Sequence, residues 1–400
     1  MADNKTMTDV YQIIHDNRDE YIDNPAMGSL MLLTFAQYID SARGIMFGSH
    51  IKQRKVLLDT EFPRVFTNHE NMVGEYSSYN LRASQDFKVD KIIRKFNLGT
   101  EECEKVEPKL VFLYNEKTNY YDVVDCHNVE NLTEKYGFLY DTSSIDSFNV
   151  GDEIPQGTPL IRPTSYDKYG NYGYGQNVRF MYLADNDTIE DAIVVSKSLA
   201  KRMRSIEVEE VTVSINDNDF LLNLYGDNDH YKCFPDVGES TVDKRLCVKR
   251  RINNSQILFD FKNSNTKTIL SSDISTYIDG EIVDVDIYCN KPMEEIQNTI
   301  FNQQLLRYLE MNQKYYNEIK EYTEEIISSG ADCSSMIKIL HKRAVEITSG
   351  EYKFKDESNS VFGNIVMVFT VKRETGLSKG QKLTGEHNCL FPHLIAGTSR

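Results

Sequence analysis

Nowhere in its 400 residues does the chain carry an apolar run near the roughly 18–20 residues that cross a bilayer. The longest candidate, Gly28 to Tyr38, is about half that length and contains Gln37. The opening MADNKTMTDVYQ has neither a cationic start nor an apolar stretch, so no secretory signal is read there. These absences predict a soluble, cytoplasmic protein with no membrane partner. Zinc hooks are missing as well. Seven cysteines stand at 103, 126, 233, 247, 289, 333 and 389, with no Cys-x-x-Cys pair among them. An odd, scattered set fits reduced thiols. Positive charge is also in short supply: 45 Lys and Arg face 61 Asp and Glu, a net −16. Phosphate contact is made by Lys and Arg, so this balance at first argues against a nucleic-acid partner. Whole-chain charge is a poor test, however, because a large scaffold can be acidic outside and basic along one groove. Ser360 to Asn388 carries Lys372, Arg373, Lys379 and Lys382 against Glu374 and Glu386, a local +2.

What is present describes an ordinary folded chain. Hydrophobic residues make up 40%, charged residues 26%, and the mean hydropathy is −0.48. That is enough to bury a sizeable core, in about two or three domains. No internal repeat is found. Residues 7–23 and 28–46 read as helices, the second from Leu30, Leu33, Phe35, Ile39, Ala42 and Met46 at three- and four-residue spacings. From 56 to 150 the pattern changes to short extended runs such as KLVFLYN and YYDVVD between Asn, Asp and Gly turns. Val150 to Ile161 reads as strand–turn–strand, with Gly and Pro where a tight turn needs them. Strands are expected over Val178 to Leu183 and Ala192 to Ser196, a helix from Lys197, and strands again over 206–290. Met293 to Ser329 turns helical, with a stripe of Ile296, Ile300, Leu305, Leu309, Tyr316, Ile319, Tyr322 and Ile326. The stripe spans only about four heptads and fits core packing better than a coiled-coil arm. The predicted class is a multidomain α+β chain with β-barrel elements.

Three segments carry candidate chemistry. Met181 to Asp191 packs Asp185, Asp187, Glu190 and Asp191 between two apolar strands. Alternating acids suit a hard divalent cation, which prefers oxygen ligands. An EF-hand loop is excluded because Ile189 and Glu190 stand where Asp or Asn and Gly are required. The same acids also read as a solvated turn. Lys372 to His387 follows the strand Asn364 to Val371, and lysines around a glycine-containing loop can meet phosphates as flexible point charges. Gly-Lys-Ser/Thr is absent, so this is no Walker loop; alternatively it is a basic surface hairpin. The third segment, Asp40 to Gln53, places Arg43 and Lys52 near a helix end, a weak anion signal. Gly170, Gly173 and Gly175 have the wrong spacing for a dinucleotide fingerprint, and a strand follows rather than a helix.

Together and in this order the segments resemble the blocks of RNA polymerase β subunits. Gly175-Gln-Asn-Val-Arg-Phe-Met-Tyr182 and Ile189-Glu-Asp-Ala-Ile-Val-Val-Ser-Lys-Ser-Leu199 resemble that family's Gly-x-Asn and Glu-Asp-Ala/Ser-Ile blocks. Gly380-Gln-Lys-Leu-Thr-Gly-Glu-His387 resembles its Gly-Asp-Lys and Arg-His loop, and Arg43 to Gln53 resembles an Arg…Arg/Lys-Gln stretch. Gly151 to Ile154 and Pro235 to Glu239 also fit, while Gly280 to Tyr288 resembles a strand of the flap. The resemblance covers residues 25–388, and the Glu-Asp block is its most specific part.

The resemblance implies a subunit of a DNA-directed RNA polymerase, a nucleotidyltransferase built from two barrels, with this chain supplying β-side double-psi barrel elements, a flap-like insertion and helical hybrid-binding segments. The β′ subunit would hold the primary Mg²⁺, and this chain would supply helper groups. Glu190 and Asp191 match a pair near a second, shared Mg²⁺ and the incoming triphosphate. Arg43 matches a nucleotide-phosphate contact, and Lys382 and Lys372 match lysines at the transcript 3′ end and α-phosphate. Lys52, Gln53, Arg373, Lys379 and His387 would lie along nucleic acid. The implied divisions are 1–60, a helical hybrid-binding segment; 61–205, a β-rich hybrid-binding region with the acidic motif; 206–355, a flap-like domain; 356–388, a return to the barrel; and 389–400, an atypical tail.

Departures from the family place the chain further. Leu183-Ala184 replaces a Pro-Trp, and there is no Trp at all. Gln381 and Glu386 stand where the family has Asp and Arg. The lysines at 372 and 382 are more widely spaced than the family's, which leaves Lys372, Arg373 and Lys379 open for the upstream role. Absent amino-terminal lobes are expected of the carboxy-terminal half of a split β, as in giant bacteriophages. The expected partners are then β′ halves, the β amino-half, a promoter-specificity factor, template DNA, nascent RNA and nucleoside triphosphates in an infected bacterium. After His387 the expected Gly-Asn-Lys-Gly is replaced by Asn-Cys-Leu-Phe-Pro-His, which suggests an interrupted reading frame with a non-native tail. Two alternatives remain at this stage: a non-catalytic nucleic-acid-binding module, and a metal-dependent phosphodiester hydrolase using the 185–191 carboxylates.

Overall fold

The computed structural model describes residues 30–52, 54–77, 79–96, 109–131, 137–167, 171–181, 192–216, 218–252, 271–291, 303–355, 361, 363–377, 382–384 and 387–390. The first elements are a 3-10 turn (Ala36–Tyr38), α1 (Ser41–Lys52), α2 (His69–Tyr76), β1 (Leu81–Arg82), β2 (Phe87–Arg94), β3 (Lys109–Asn115) and β4 (Tyr120–Cys126). There follow β5 (Val129–Asn131), β6 (Gly137–Asp141), α3 (Ser143–Asp146), β7 (Glu153–Ile154), β8 (Pro159–Pro163), β9 (Ala192–Val194), α4 (Lys197–Arg202) and β10 (Ser205–Ile215). The remainder is β11 (Asp219–Leu221), β12 (Arg245–Ile252), β13 (Ser271–Tyr277), β14 (Glu281–Cys289), α5 (Gln303–Ser328), β15 (Asp332–Cys333), α6 (Ser335–Thr348), β16 (Ile365–Thr375), β17 (Lys382–Thr384) and β18 (His387–Leu390). This is a mixed α+β chain, as the alternation of patterns predicts. No helix among the described residues is long and apolar enough to cross a membrane.

The chain divides into two compact units. The first comprises 1–80, 164–205 and 375–400; the second comprises 81–163 and 206–374.

The second unit is built on two large sheets. One has seven strands in the order β1-β8-β6-β10-β16-β14, with β5 added on β6. In it β14 and β16 run antiparallel from Glu281 opposite Lys372 to Cys289 opposite Ile365. The other has the order β15-β4-β3-β2-β7. Its middle strand explains the packing. KLVFLYN is apolar without interruption, and successive side chains of a strand point to opposite faces. Val111 and Leu113 accordingly enter one core with Val89, Val124 and Ile154, while Leu110 and Phe112 enter another with Tyr316, Ile319 and Ile337. Burying a strand on both faces needs a helical layer on one side, which α5 and α6 provide. Of the expected stripe, Leu305, Tyr316, Ile319 and Ile326 are buried in α5, with Tyr308 added between them, while Ile296 and Ile300 lie outside the described residues. Leu305 and Tyr308 also join a third core around Phe234, Ile282, Val285, Met367 and Phe369. A smaller sheet, β11-β12-β13, completes the unit. The turn between β7 and β8 uses Gly157 at φ 82, a left-handed conformation open to glycine at no steric cost. The five described cysteines, 126, 233, 247, 289 and 333, form no disulfide.

Two expectations change in the first unit. The helix foreseen over 28–46 is broken, because Phe35 adopts φ 58 and a single 3-10 turn follows. Asp40 then accepts a hydrogen bond from the Ala42 amide (3.2 Å), and α1 starts only at Ser41. Val178 to Met181, foreseen as part of a strand, belongs to no strand, and Tyr182 and Leu183 lie outside the described residues. The helix foreseen over 7–23 lies outside the described residues.

Candidate functional site

The first unit is organised around the segment that follows α1. Arg54 donates through Nε to Tyr174 O (3.1 Å) and through Nη1 to Ile51 O (3.1 Å), and also bonds the Tyr172 hydroxyl. Lys55 is buried and its Nζ donates to Gly376 O (3.4 Å). Thr60 Oγ1 donates to Ser165 O (2.8 Å). One short stretch thus ties α1 to the chain ahead of the acidic motif and to the chain ahead of the lysine loop. Gln176 extends the tie by donating Nε2 to Asp59 O (3.1 Å), and Arg204 pairs with Asp59 at 2.6 Å.

A three-stranded sheet, β17-β18-β9, is the second part. β17 and β18 form an antiparallel hairpin with Lys382 opposite Asn388 and Thr384 opposite His387. β18 then pairs in parallel with β9, Asn388 opposite Ala192, Cys389 opposite Ile193 and Leu390 opposite Val194. Ala192 is the residue after Asp191. α1 packs beside β17. The fold therefore gathers the helix of Arg43, the strand that opens at Lys382, the strand that opens at His387 and the strand that opens directly after the Glu-Asp pair. Arg43 is exposed, and its Nη1 donates to Met46 Sδ (3.5 Å). Lys52 ends α1. Ser196 caps α4 by accepting from the Leu199 amide at 3.2 Å, which fixes the exit from β9. Glu190, Asp191, Gln53 and Lys379 lie outside the described residues.

Lys372 and Arg373 belong to the second unit, at the end of β16. Lys372 Nζ pairs with Glu281 at 2.9 Å. Arg373 pairs with Glu207 and, at 3.9 Å, with Asp279. The hydrogen bond to Glu207 holds the Arg373 guanidinium above its ordinary value. Each of these cations is thus matched by a carboxylate of its own unit.

A dense set of titratable groups among the described residues was not legible in the sequence. A cavity of about 380 Å³ in the second unit is lined by Lys95, Asp125, His127, Glu130, Asp284 and Asp286 among others. Lys95 Nζ lies 2.6 Å from Asp284 and 2.7 Å from Asp286. Burial opposes its charge, but the two carboxylates outweigh that and raise the ammonium well above its ordinary value. Burial, helped by Asp286, pushes Asp284 up to about 6 against the pull of Lys95. His127 stands 2.7 Å from Glu130 and 3.6 Å from Asp125. Burial disfavours the imidazolium, yet these acids raise it to about 9. The residues are consumed by one another, which marks a structural cluster. Among the described residues no group of three or more His, Cys, Asp or Glu is arranged to hold a metal ion.

No family model matches the chain. It is, however, similar to several sequences named DNA-directed RNA polymerase subunit beta. It is 26% identical over 185 residues to that of Mycoplasmopsis synoviae (strain 53), covering 45% of this chain and 14% of the relative. Over 211 residues it is 28% identical to that of Mesomycoplasma hyopneumoniae (strain 7448), covering 51% and 16%. The Euglena gracilis sequence is 21% identical over 353 residues, covering 79% and 29%. The chain is β-like in sequence, and the matches span between 14% and 29% of these relatives' length.

Proposed function

We propose that this β-like chain is the carboxy-terminal half of a split RNA polymerase β subunit and contributes helper residues to template-directed RNA synthesis. The observation that supports this most directly is the three-stranded sheet of the first unit. It joins the strand opening at Lys382 to the strand opening immediately after Glu190-Asp191, with the helix of Arg43 alongside. Three segments far apart in sequence lie together there: two carry a cation, and the third begins at the residue after an acidic pair that would meet a triphosphate through Mg²⁺.

Such a set suits phosphoryl transfer. That chemistry needs positioning and charge neutralisation more than a protein nucleophile. Arg43 would bind the triphosphate, Lys382 would neutralise charge developing on the α-phosphate, and Lys52, Gln53, Lys379 and His387 would follow nucleic acid. Mg²⁺ commonly takes one or two carboxylates plus substrate phosphates rather than an all-protein cage. Glu190 and Asp191 fit that donor set and would hold a second Mg²⁺ shared with β′. Bound there, the ion would supply electrostatic stabilisation of the reacting oxygens. Lys372 and Arg373 would act after exchanging a carboxylate partner for a phosphate. Residues 206–355 would serve as a flap-like domain and 356–388 as a return to the barrel. The remaining partners would be β′ halves, the β amino-half and a promoter-specificity factor, in the cytoplasm of an infected bacterium.

Co-expression with candidate β′ halves and a β amino-half, followed by Mg²⁺-dependent RNA synthesis on a DNA template, tests the reading. Glu190→Ala combined with Asp191→Ala should reduce nucleotide addition by about a hundredfold or more while the complex still assembles. Unchanged synthesis refutes the assignment of these acids. Phosphodiester hydrolysis by the chain alone would point to a hydrolase instead.

A further inference from the structure

Glu61 holds more partners than an exposed carboxylate ordinarily does. Its amide donates to Gly175 O (2.8 Å), which forms an antiparallel bridge between the two residues. Its carboxylate accepts from the Asn177 amide (2.9 Å) and from Asn177 Nδ2 (3.1 Å), and pairs with Arg202 at 2.9 Å. Asn177 Nδ2 also donates to Phe62 O (3.0 Å). Three residues earlier, the Leu58 amide donates to Arg204 O (2.9 Å). Hydrogen bonds from Asn177 and the charge of Arg202 hold the Glu61 carboxyl below its ordinary value, so it is ionised when these bonds form.

The positions of these partners give the contact its meaning. Asn177 and Arg202 are the two ends of one stretch of chain that contains β9, and Arg202 is the last residue of α4. β9 is the edge from which β18 and then β17 are hung. We propose that Glu61 is a positioning residue: its single carboxylate joins Asn177 to Arg202 at the end of α4 and so sets where α4 and the β9 before it, and through β9 the strand of Lys382, are held. The reaction it would serve is the one proposed above, and that part of the inference rests on that reading. The anchoring of α4 and β9 does not depend on it. Glutamate is suited to the task because one oxygen can accept from an amide while the other meets a guanidinium, and hydrogen bonds to a charged acceptor are the stronger kind.

Two measurements test this. In the full chain, Glu61→Ala should speed amide hydrogen exchange of Ala192 to Val194 about tenfold, the loss expected for charge-assisted hydrogen bonds. Glu61→Gln keeps an acceptor for Asn177 and should recover most of the protection, while Arg202→Ala should fall between the two. In an assembled complex whose unaltered form makes RNA, Glu61→Ala should lower kcat for nucleotide addition with little change in KM, and Glu61→Gln should restore part of it. Exchange at 192–194 that is unchanged in Glu61→Ala overturns the inference. So does faster exchange with unaltered kcat. A complex that makes no RNA with the unaltered chain counts against the polymerase reading, and the exchange measurement still decides the role of Glu61.

Discussion

The first unit contains 17 Asp and Glu against 16 Lys and Arg, whereas the second contains 44 against 29. Nearly all of the net −16 therefore belongs to the second unit. The units differ as much in their apolar residues. Three extended cores occupy the second, while the described core of the first is a small group around Val195, Ala200 and Leu377. In exchange the first unit leaves Phe35, Tyr38, Ile45, Phe180 and Met181 exposed. One unit is acidic and holds the extended cores; the other is nearly neutral and leaves these apolar side chains exposed. Averaging over the whole chain hides this, which is why the acidic total is a weak argument against a polyanionic partner.

Substitutions should affect the two units to different extents. The largest effect is expected in the second unit, where Lys95→Met would leave Asp284 and Asp286 without their cation. That should cost about 3 kcal/mol or more in urea unfolding at pH 7, since an unpaired buried charge remains. The pH dependence follows from Asp284, whose carboxyl is raised from 3.8 to about 6 on folding. Its contribution to stability is full below about 3.8 and lost as pH rises through about 6, so the Lys95→Met penalty should shrink toward pH 5. In the first unit, Ser196→Ala removes the α4 cap and should cost about 1 kcal/mol, read as faster exchange at Leu199. A smaller effect is expected at His127, raised from 6.5 to about 9. Stability from its imidazolium is complete below 6.5 and fades as pH rises through 9. His127→Asn should therefore flatten the fall in Tm between those pH values. The smallest effect is that of Arg43→Ala, within about 0.5 kcal/mol, because the side chain is exposed and makes one weak contact. A large loss of stability there would show that Arg43 is a structural residue of the first unit and not a reserve of charge.

Legibility in the sequence followed the same division. KLVFLYN, the α5 stripe and the strand–turn–strand at 153–163 were readable because burial imposes period and turn chemistry imposes residue type. α6 was not foreseen, since only Ile337 and Ala344 are buried in it and its apolar positions are spread among lysines. The break at Phe35 was hidden by helical spacing that continues through it. Among candidate residues, Arg43 and Lys382 could be nominated from their motifs. That α1, β17 and β9 lie together could not, because the β18–β9 pairing joins residues 192 and 388. Glu61 was missed altogether. Its side-chain partners Asn177 and Arg202 lie more than a hundred positions away, and no local pattern links them to it.

The order of strands in the seven-stranded sheet sets a schedule for biogenesis. β16 lies between β10 and β14, yet both are made before it. A chain emerging from the ribosome would hold β10 with one side unsatisfied through all the synthesis up to Ile365, which at roughly 5–20 residues per second lasts on the order of ten seconds or more. Val208, Val213 and Ile215 in β10, and Ile282 and Val285 in β14, would be open to solvent during that interval. The acidic residues around them, such as Glu207, Glu209 and Glu210 at the start of β10, would then act as gatekeepers that keep the waiting edge from pairing with another nascent chain.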